Sequence, residues 1–190
     1  MGAHESMEHA EHAEHASHSD NKRIALLIAL LALFLALSET MGKSAQTDAL
    51  SQNIEASNLW AFFQAKTIRQ TTLRAAAEQM EVLSESEKAK KQIDTWKKTA
   101  ARYQDEPDTG EGRNQLAERA KAAEKKRDLA LAAYHHFEMS SASVQIAIVL
   151  ASASIITTIP ALFWSAGALG VLGVAFCVIG FWFPTAVHLF

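Results

Sequence analysis

The chain has 190 residues, 49% of them hydrophobic, and its 18 basic and 21 acidic side chains give a net charge of −3. This balance argues against a nucleic-acid partner, because such proteins present a net basic surface. Cys177 is the single cysteine, which excludes an intrachain disulfide and a zinc site built on paired cysteines.

The charge is distributed very unevenly along the chain. Residues 43–143 hold sixteen Lys or Arg and fifteen Asp or Glu, whereas residues 144–190 hold none of either and residues 24–42 hold only Glu39. A polar middle therefore separates two apolar ends. This organisation predicts an integral membrane protein of the all-α class.

Residues 1–21 form an acidic, histidine-rich tail in which His recurs every three residues. Imidazoles at this density could bind a divalent ion such as zinc, nickel or copper, through His9, His12, His15 and His18. A period of three drifts by about 60° per step on an α-helix, so no single face gathers all four. We therefore expect a disordered tail, with a metal-responsive or pH-responsive tail as the alternative.

The first apolar segment, residues 22–41, is expected to be a transmembrane helix. Its fourteen unbroken apolar residues, Ile24–Leu37, become long enough to cross a bilayer when residues 38–41 are included. The alternative is a secretory signal peptide cleaved after Ala36-Leu37-Ser38. The long acidic tail before the basic pair Lys22 and Arg23 favours a retained anchor.

The middle region is rich in good helix formers and shows no strand-like alternation. A turn-like composition at residues 105–112 predicts an antiparallel, coiled-coil-like helical hairpin over 74–143, in which 74–104 pairs with 113–143. The arm from Lys43 to Gln104 is twice as long as the returning arm, so a corner is needed. The candidates are Gly42 and Ser84–Glu87, where Ser84 would cap a helix and Glu87 complete a capping box.

Residues 42–73, which lie outside that hairpin, carry an aromatic patch formed by Ile54, Trp60, Phe62 and Phe63. A helical stripe of Leu50, Ile54, Ala61, Ala65 and Ile68 accompanies it. An apolar face this broad predicts burial, either in lipid headgroups or in an oligomer core. A ligand-binding aromatic box is a third interpretation.

Two further transmembrane helices are expected at residues 144–163 and 166–184, joined at Trp164 and Ser165. Pro160 is expected to end or kink the first of them, because proline lacks an amide donor. Pro184 follows the second.

Each apolar segment carries small residues at 4-3-4 spacing, which lie on one helical face. Small faces allow close helix packing in lipid and predict a homo-oligomer. The three stripes are Ala25, Ala29, Ala32 and Ala36; Ala147, Ala151, Ser154 and Thr158; and Ala166, Gly170, Gly173, Cys177 and Gly180.

Several runs resemble a bacterial multi-pass membrane family known as domain of unknown function 4337. The runs are NKRIALL at 21–27, GKSAQT at 42–47, NIEASNLWAFFQAK at 53–66 followed by TIRQ, and QIAIVLAS at 145–152. The acidic, His-rich tail is also typical of that family. The resemblance implies a bacterial membrane protein with helical extramembrane parts, and it implies no activity or catalytic residue.

The functional expectation is a non-enzymatic structural or accessory protein that works through helix–helix contacts. The last two apolar segments lack the ionisable residues that pumps place within their spans, and no catalytic constellation or cofactor motif is present in the sequence. A passive channel lined by serines and threonines, and a metal or pH sensor, are the alternatives. We expect the bacterial inner membrane, with lipid and further copies as partners. Lys22 and Arg23 favour a cytoplasmic N-terminus with the hairpin in the periplasm, whereas Lys43 and, more distantly, residues 125–127 favour a cytoplasmic hairpin. The sequence identifies no other protein partner.

Overall fold

The structure is a computed structural model that describes the backbone of residues 3–186 and the side chains of residues 22–186. Within residues 3–186 the chain forms four helices and no strand, which confirms the predicted all-helical class. The helices are α1 (Ala3–Leu83), α2 (Glu87–Gln104), α3 (Arg113–Thr157) and α4 (Pro160–Trp182). Two compact units result: the first combines the chain up to Gln46 with the chain from Leu129 onward, and the second is Thr47–Asp128.

Helix α1 is continuous from Ala3 to Leu83. The disorder predicted for the tail, residues 1–21, stays a prediction. The helix also passes through Gly42 without interruption, so no corner forms there.

The chain reverses between α1 and α2. Ser86 has an extended backbone (φ −64°, ψ 149°), and its side chain caps α2 by accepting a hydrogen bond of 3.2 Å from the Ala89 amide. The predicted cap, Ser84, instead bonds the Ser86 hydroxyl. Glu87 lies in the first turn of α2, too early to complete a capping box.

In the second unit α2 and then α3 run back along α1, one after the other. Gln70 of α1 bonds the Ala100 carbonyl of α2, and Trp60 bonds Glu124 of α3. The predicted pairing of 74–104 with 113–143 is therefore wrong. Residues 105–112 do interrupt the helix, but they join two helices that both pack on α1, and this arrangement resolves the mismatch in arm length.

The buried residues of α1 follow a strict seven-residue repeat. Between residues 22 and 83 every buried side chain or glycine falls at one of two heptad positions, and their spacing alternates between three and four residues. One position contains Leu31, Ser38, Leu59 and Lys66, and the other contains Gly42, Ala49, Ala56, Gln70 and Ala77. A 3.5-residue period keeps one narrow stripe facing its partners along the helix.

In the first unit α1, α3 and α4 pack around Leu31, Val144 and Ala147. Helix α3 ends at Thr157 and α4 begins at Pro160, so the predicted boundaries of 144–163 and 166–184, with a turn at Trp164 and Ser165, are wrong. Thr158 takes a left-handed conformation (φ 55°) that breaks the helix. Pro160 then starts α4, since its fixed φ and missing amide suit the first helical turn.

Among the described residues, α1, α3 and α4 are long and apolar enough to cross a membrane. This agrees with the number of apolar spans predicted from the sequence. The exposed side chains of α1 in this region include four leucines, Leu26, Leu30, Leu33 and Leu37.

Two glycines of α4 provide a matched test of the packing in the first unit. A Cβ on Gly173 would lie 2.6 Å from Val144 Cγ2 and 3.1 Å from the Ser140 carbonyl oxygen, whereas a Cβ on Gly167 would meet nothing within 4 Å. We expect Gly173→Ala to destabilise the protein by about 1–3 kcal/mol through overpacking. Gly167→Ala should be neutral or stabilise by up to about 1 kcal/mol. Heat stability of both variants in detergent checks this, and equal losses would contradict the assigned contact.

Candidate functional site

Serine hydroxyls join the three helices of the first unit. Ser38 Oγ of α1 donates to the Phe137 carbonyl at 3.2 Å, and Ser141 Oγ donates to Ser38 Oγ at 3.2 Å. Ser140 Oγ of α3 donates to the Gly173 carbonyl of α4 at 2.8 Å. Each such bond between membrane helices is worth about 0.6 kcal/mol on average. The sequence analysis did not identify these serines. The seven-residue spacing between Leu31 and Ser38 is the signal that could have identified Ser38 as buried.

His136 is a buried ionisable residue of this unit, with only 1% of its surface exposed. Its ring stacks on Phe176 with centroids 6.4 Å apart, and Nε2 lies 3.2 Å from the Pro184 carbonyl oxygen. Gly180 makes room for it, because a Cβ there would lie 2.9 Å from the His136 Cβ. His136 therefore packs α3 against the end of α4.

Two of the three predicted small-residue stripes lie inside the first unit. Ala147, Ala151 and Ser154 of α3 are buried, whereas Thr158 lies exposed at the helix break. In α4, Ala166, Gly170, Gly173 and Gly180 are buried and Cys177 is half-buried.

The stripe of α1 behaves differently. All four of its alanines, Ala25, Ala29, Ala32 and Ala36, are exposed, and Leu31 and Ser38 occupy the buried face instead. These alanines therefore lie outside the buried face of α1 and form a small, apolar, exposed face.

A polar junction, formed by Lys66, Gln70, Gln104, Glu106 and Arg113, lies at the centre of the second unit. Lys66 is only 4% exposed, and its ammonium lies 3.1 Å from Glu106 Oε2 and 3.7 Å from Glu111 Oε2. The same ammonium sits 5.4 Å from the ring centroids of both Phe62 and Tyr103. Phe62 and Tyr103 thus flank a cation that the chain itself supplies, the Lys66 ammonium.

Gln70 connects the other members of the junction and is 2% exposed. Its Nε2 donates to the Ala100 carbonyl at 2.8 Å, and its Oε1 accepts from Arg113 Nη1 at 2.6 Å. The same Nη1 donates to Gln104 Oε1 at 2.8 Å, and the guanidinium stacks 4.8 Å from the Phe63 centroid. The end of α2 and the start of α3 are thereby fixed to one point on α1.

The charges of the junction perturb one carboxyl group. The Lys66 ammonium, which donates a hydrogen bond to Glu106, holds the pKa of that carboxyl below its ordinary value, and partial desolvation opposes the effect. The arrangement neutralises the Lys66 charge with Glu106 and Glu111, so the junction is suited to holding helices in register.

The predicted aromatic patch is divided between the interior and the surface. Trp60 Nε1 donates to Glu124 Oε1 at 2.8 Å, and its ring meets Phe63 edge to face at 5.4 Å. Both rings pack against the buried cluster of Leu59, Leu116 and Ala120. Ile54 and Phe62 remain 53% and 37% exposed.

Opposite the buried stripe, the surface of α1 in the second unit carries no charge. This outer face consists of two heptad positions, and every member is exposed. They are Thr47, Ile54, Ala61, Ile68 and Ala75, and Ser51, Asn58, Ala65 and Thr72. Exposed positions of α2 are instead rich in charge, including Lys88, Lys90, Lys91, Asp94, Lys97 and Lys98. The sequence stripe through Ile54, Ala61, Ala65 and Ile68 identified part of this face.

Among the residues whose side chains are described, no group of three or more His, Cys, Asp or Glu residues could hold a metal ion. His9, His12, His15 and His18, the predicted metal ligands, lie outside those residues. Metal binding by the histidine-rich tail stays a prediction.

The fold thus defines an all-helical protein with three helices able to cross a membrane and a helical unit organised on a polar junction. Residues 20–183 match the family model described as Domain of unknown function (DUF4337), and the chain belongs to this family. The resemblance inferred from the sequence is confirmed. No curated protein and no solved structure matches the chain in these comparisons.

Gln70→Ala tests the polar junction. The substitution removes hydrogen bonds to α2 and α3 and leaves buried partners unsatisfied, so we expect a loss of about 2 kcal/mol in local stability. Hydrogen exchange of the α2 amides measures this as roughly a 30-fold loss of protection. Gln79→Ala, at an exposed position of the same helix, is the control and should leave protection unchanged. Equal protection in both variants would contradict a structural junction.

Acid should loosen the same junction through Glu106. A lowered pKa means that the folded state favours the carboxylate, so this stabilisation is complete above about pH 4.5 and is lost as the pH falls below that value. We expect Glu106→Gln to reduce amide protection around the junction at neutral pH, with the difference from wild type shrinking in acid. Glu118→Gln, at an exposed position of α3, should show no such dependence. A pH-independent difference for Glu106→Gln would refute the assignment.

Proposed function

We propose that this chain is a non-enzymatic integral membrane protein of the bacterial inner membrane with a structural or accessory role. Segments of α1, α3 and α4 are its three membrane spans, and the second unit is its extramembrane part. Copies associate through helix–helix contacts. The observation that carries this proposal is the exposed alanine face of α1, on a helix whose contacts within its own chain use other residues.

The surface and interior of the first unit support insertion into lipid. Exposed leucines line α1 on the face beside the alanine stripe, and large exposed apolar surfaces are typical of membrane-facing segments. Inside the unit, hydroxyls of Ser38, Ser140 and Ser141 find partners on neighbouring helices. Polar groups in a bilayer need such internal partners, because lipid supplies none.

The alanine face supports association of copies. Lipid is as apolar as leucine, so burying apolar surface does not by itself bring spans together. Close contact between helix backbones does bring spans together, and it requires small side chains. The four alanines of this face are small and exposed, and the exposed leucines Leu26, Leu30, Leu33 and Leu37 lie on the neighbouring face, about 100° around the helix.

No observation specifically supports either alternative function, the passive channel or the metal or pH sensor. For a channel, the serines and threonines of α3 would have to offer hydroxyls to water. Ser152 and Thr157 instead donate to carbonyls of their own helix. For a sensor, the relevant imidazoles lie outside the described side chains.

Paired bulky substitutions on two exposed span faces test the proposal. Ala29→Leu with Ala36→Leu fills the stripe, while Ala168→Leu with Ala175→Leu makes the same change, at the same spacing, on exposed positions of α4. Overpacking costs about 1–3 kcal/mol, so we expect the first pair to weaken association by tenfold or more and the second to leave it unchanged. Mass measurement of single lipid nanodiscs over a range of protein-to-lipid ratios counts the copies. A wild-type protein that is monomeric at every ratio, or two pairs with equal effects, would refute the proposal.

A further inference from the structure

The outer face of α1 in the second unit has the spacing of a helix-pairing surface. Its members, from Thr47 to Ala75, alternate at three and four residues, as the buried stripe does on the opposite side. This is the repeat by which two helices contact each other continuously. The charged residues Asp48, Glu55 and Arg69 lie beside this face and not on it.

The composition of the face is unusual for a helix surface in water. The solvent side of an amphipathic helix is normally charged, as the exposed side of α2 is here. The outer face offers two isoleucines, three alanines and short polar side chains over nine positions. Small residues allow a second helix to approach closely, and Ile54 and Ile68 supply apolar surface on the same face.

We propose that this outer face pairs in parallel with the same face of a second copy of the chain. The inference rests on the proposed function, because two copies inserted in the same orientation are related by a two-fold axis along the membrane normal. In such a pair each residue near the axis faces its own counterpart. Any charged residue there would face a like charge, and all nine members of the outer face are uncharged.

Asn58 gives the pairing a register. It lies in the middle of the face, between Ile54 and Ala61, and its side chain is exposed in the single chain. An asparagine carries both donors and acceptors, so two Asn58 side chains can bond across the axis. A single asparagine at such a position fixes the alignment of paired helices at some cost in stability.

A lipid surface fits this face less well than a second copy does. Helices that lie on membranes carry Lys or Arg beside their apolar face, which attracts anionic headgroups. Along the outer face, from 47 to 75, the exposed charged side chains of α1 are Asp48, Glu55, Arg69 and Arg74, and their charges cancel. This part of the helix therefore lacks the net positive charge that would attract it to anionic lipid.

The contact area is adequate for two copies that share a membrane. The face extends for about 42 Å, and a contact strip about 10 Å wide on each helix buries roughly 800 Å² in total. Stable interfaces between free proteins usually exceed about 1,000 Å². Anchoring in one bilayer raises the effective concentration of the partner, so a smaller area suffices.

Cysteine cross-linking of the full-length protein in membranes tests the pairing. In a Cys177→Ser background, single cysteines replace Ala61, Ala65 or Ile68 on the outer face, and Lys91→Cys on the exposed side of α2 is the control. A parallel pair brings identical residues within the Cα separation of about 4.4–6.8 Å that a disulfide requires. We expect the three face variants to form at least fivefold more dimer than Lys91→Cys under mild oxidation.

Charge reversal tests whether the two faces are identical. Ala61→Glu and Ala61→Lys, each combined with Ile68→Cys, add good helix formers to an exposed position, so the fold should tolerate them. Each alone should lower dimer formation about fivefold through like-charge repulsion. Co-expression of the two should restore mixed dimers, because Glu then faces Lys. Loss without restoration would overturn the identical pairing.

The outcomes separate this inference from the proposed function. If the alanine-stripe variants dissociate the copies but the face variants cross-link no better than Lys91→Cys, the outer face is not a contact and the proposed function stands. If the wild-type chain is monomeric in nanodiscs and no face variant cross-links, both the inference and the proposed function are refuted. Cross-linking of these cysteines to a protein of another mass would overturn the inference in favour of a different partner.

Discussion

A single narrow stripe on α1 organises the described part of the chain. Every buried residue of α1 between 22 and 83 occupies one of two heptad positions, and α2, α3 and α4 all depend on contacts with that stripe or with one another. Glycine and alanine at many of these positions, such as Gly42, Ala49 and Ala56, allow helices to approach closely. Because the stripe is narrow, most of the circumference of α1 is exposed, and those exposed faces support the proposed association of copies.

The polar junction is the place where the stripe is not apolar. Lys66 and Gln70 occupy buried heptad positions, where a leucine would pack as well and would carry no desolvation cost. Their partners fix the last turn of α2, the connecting segment and the first turn of α3 to one level of α1. An apolar stripe would tolerate sliding by one heptad, whereas directional hydrogen bonds between the members of the junction favour one alignment.

In the first unit, smaller groups fix the alignment of the packed helices. Its interior contains serines and glycines at the contacts between helices, and the Ser140 hydroxyl bonds a carbonyl of α4 directly at Gly173. The missing Cβ at Gly173 permits that approach. With the first unit in a membrane, as proposed, close backbones and local hydrogen bonds would replace the apolar driving force that is absent between helices in lipid.

Sequence alone determined the helical class, the number of apolar spans, the interruption at 105–112 and the family. These depend on local propensity, on runs of apolar residues and on motifs, which neighbours in space do not alter. The tertiary structure decided which face of α1 is buried, since periodicity shows which residues share a face but not which face meets a partner. It placed Ala25, Ala29, Ala32 and Ala36 outside and Ser38 inside, and of the two predicted corners it chose Ser84–Glu87 and made it the chain reversal in place of 105–112. Those outcomes depend on α2 and α3 both fitting along α1, a long-range condition that no local window of the sequence contains.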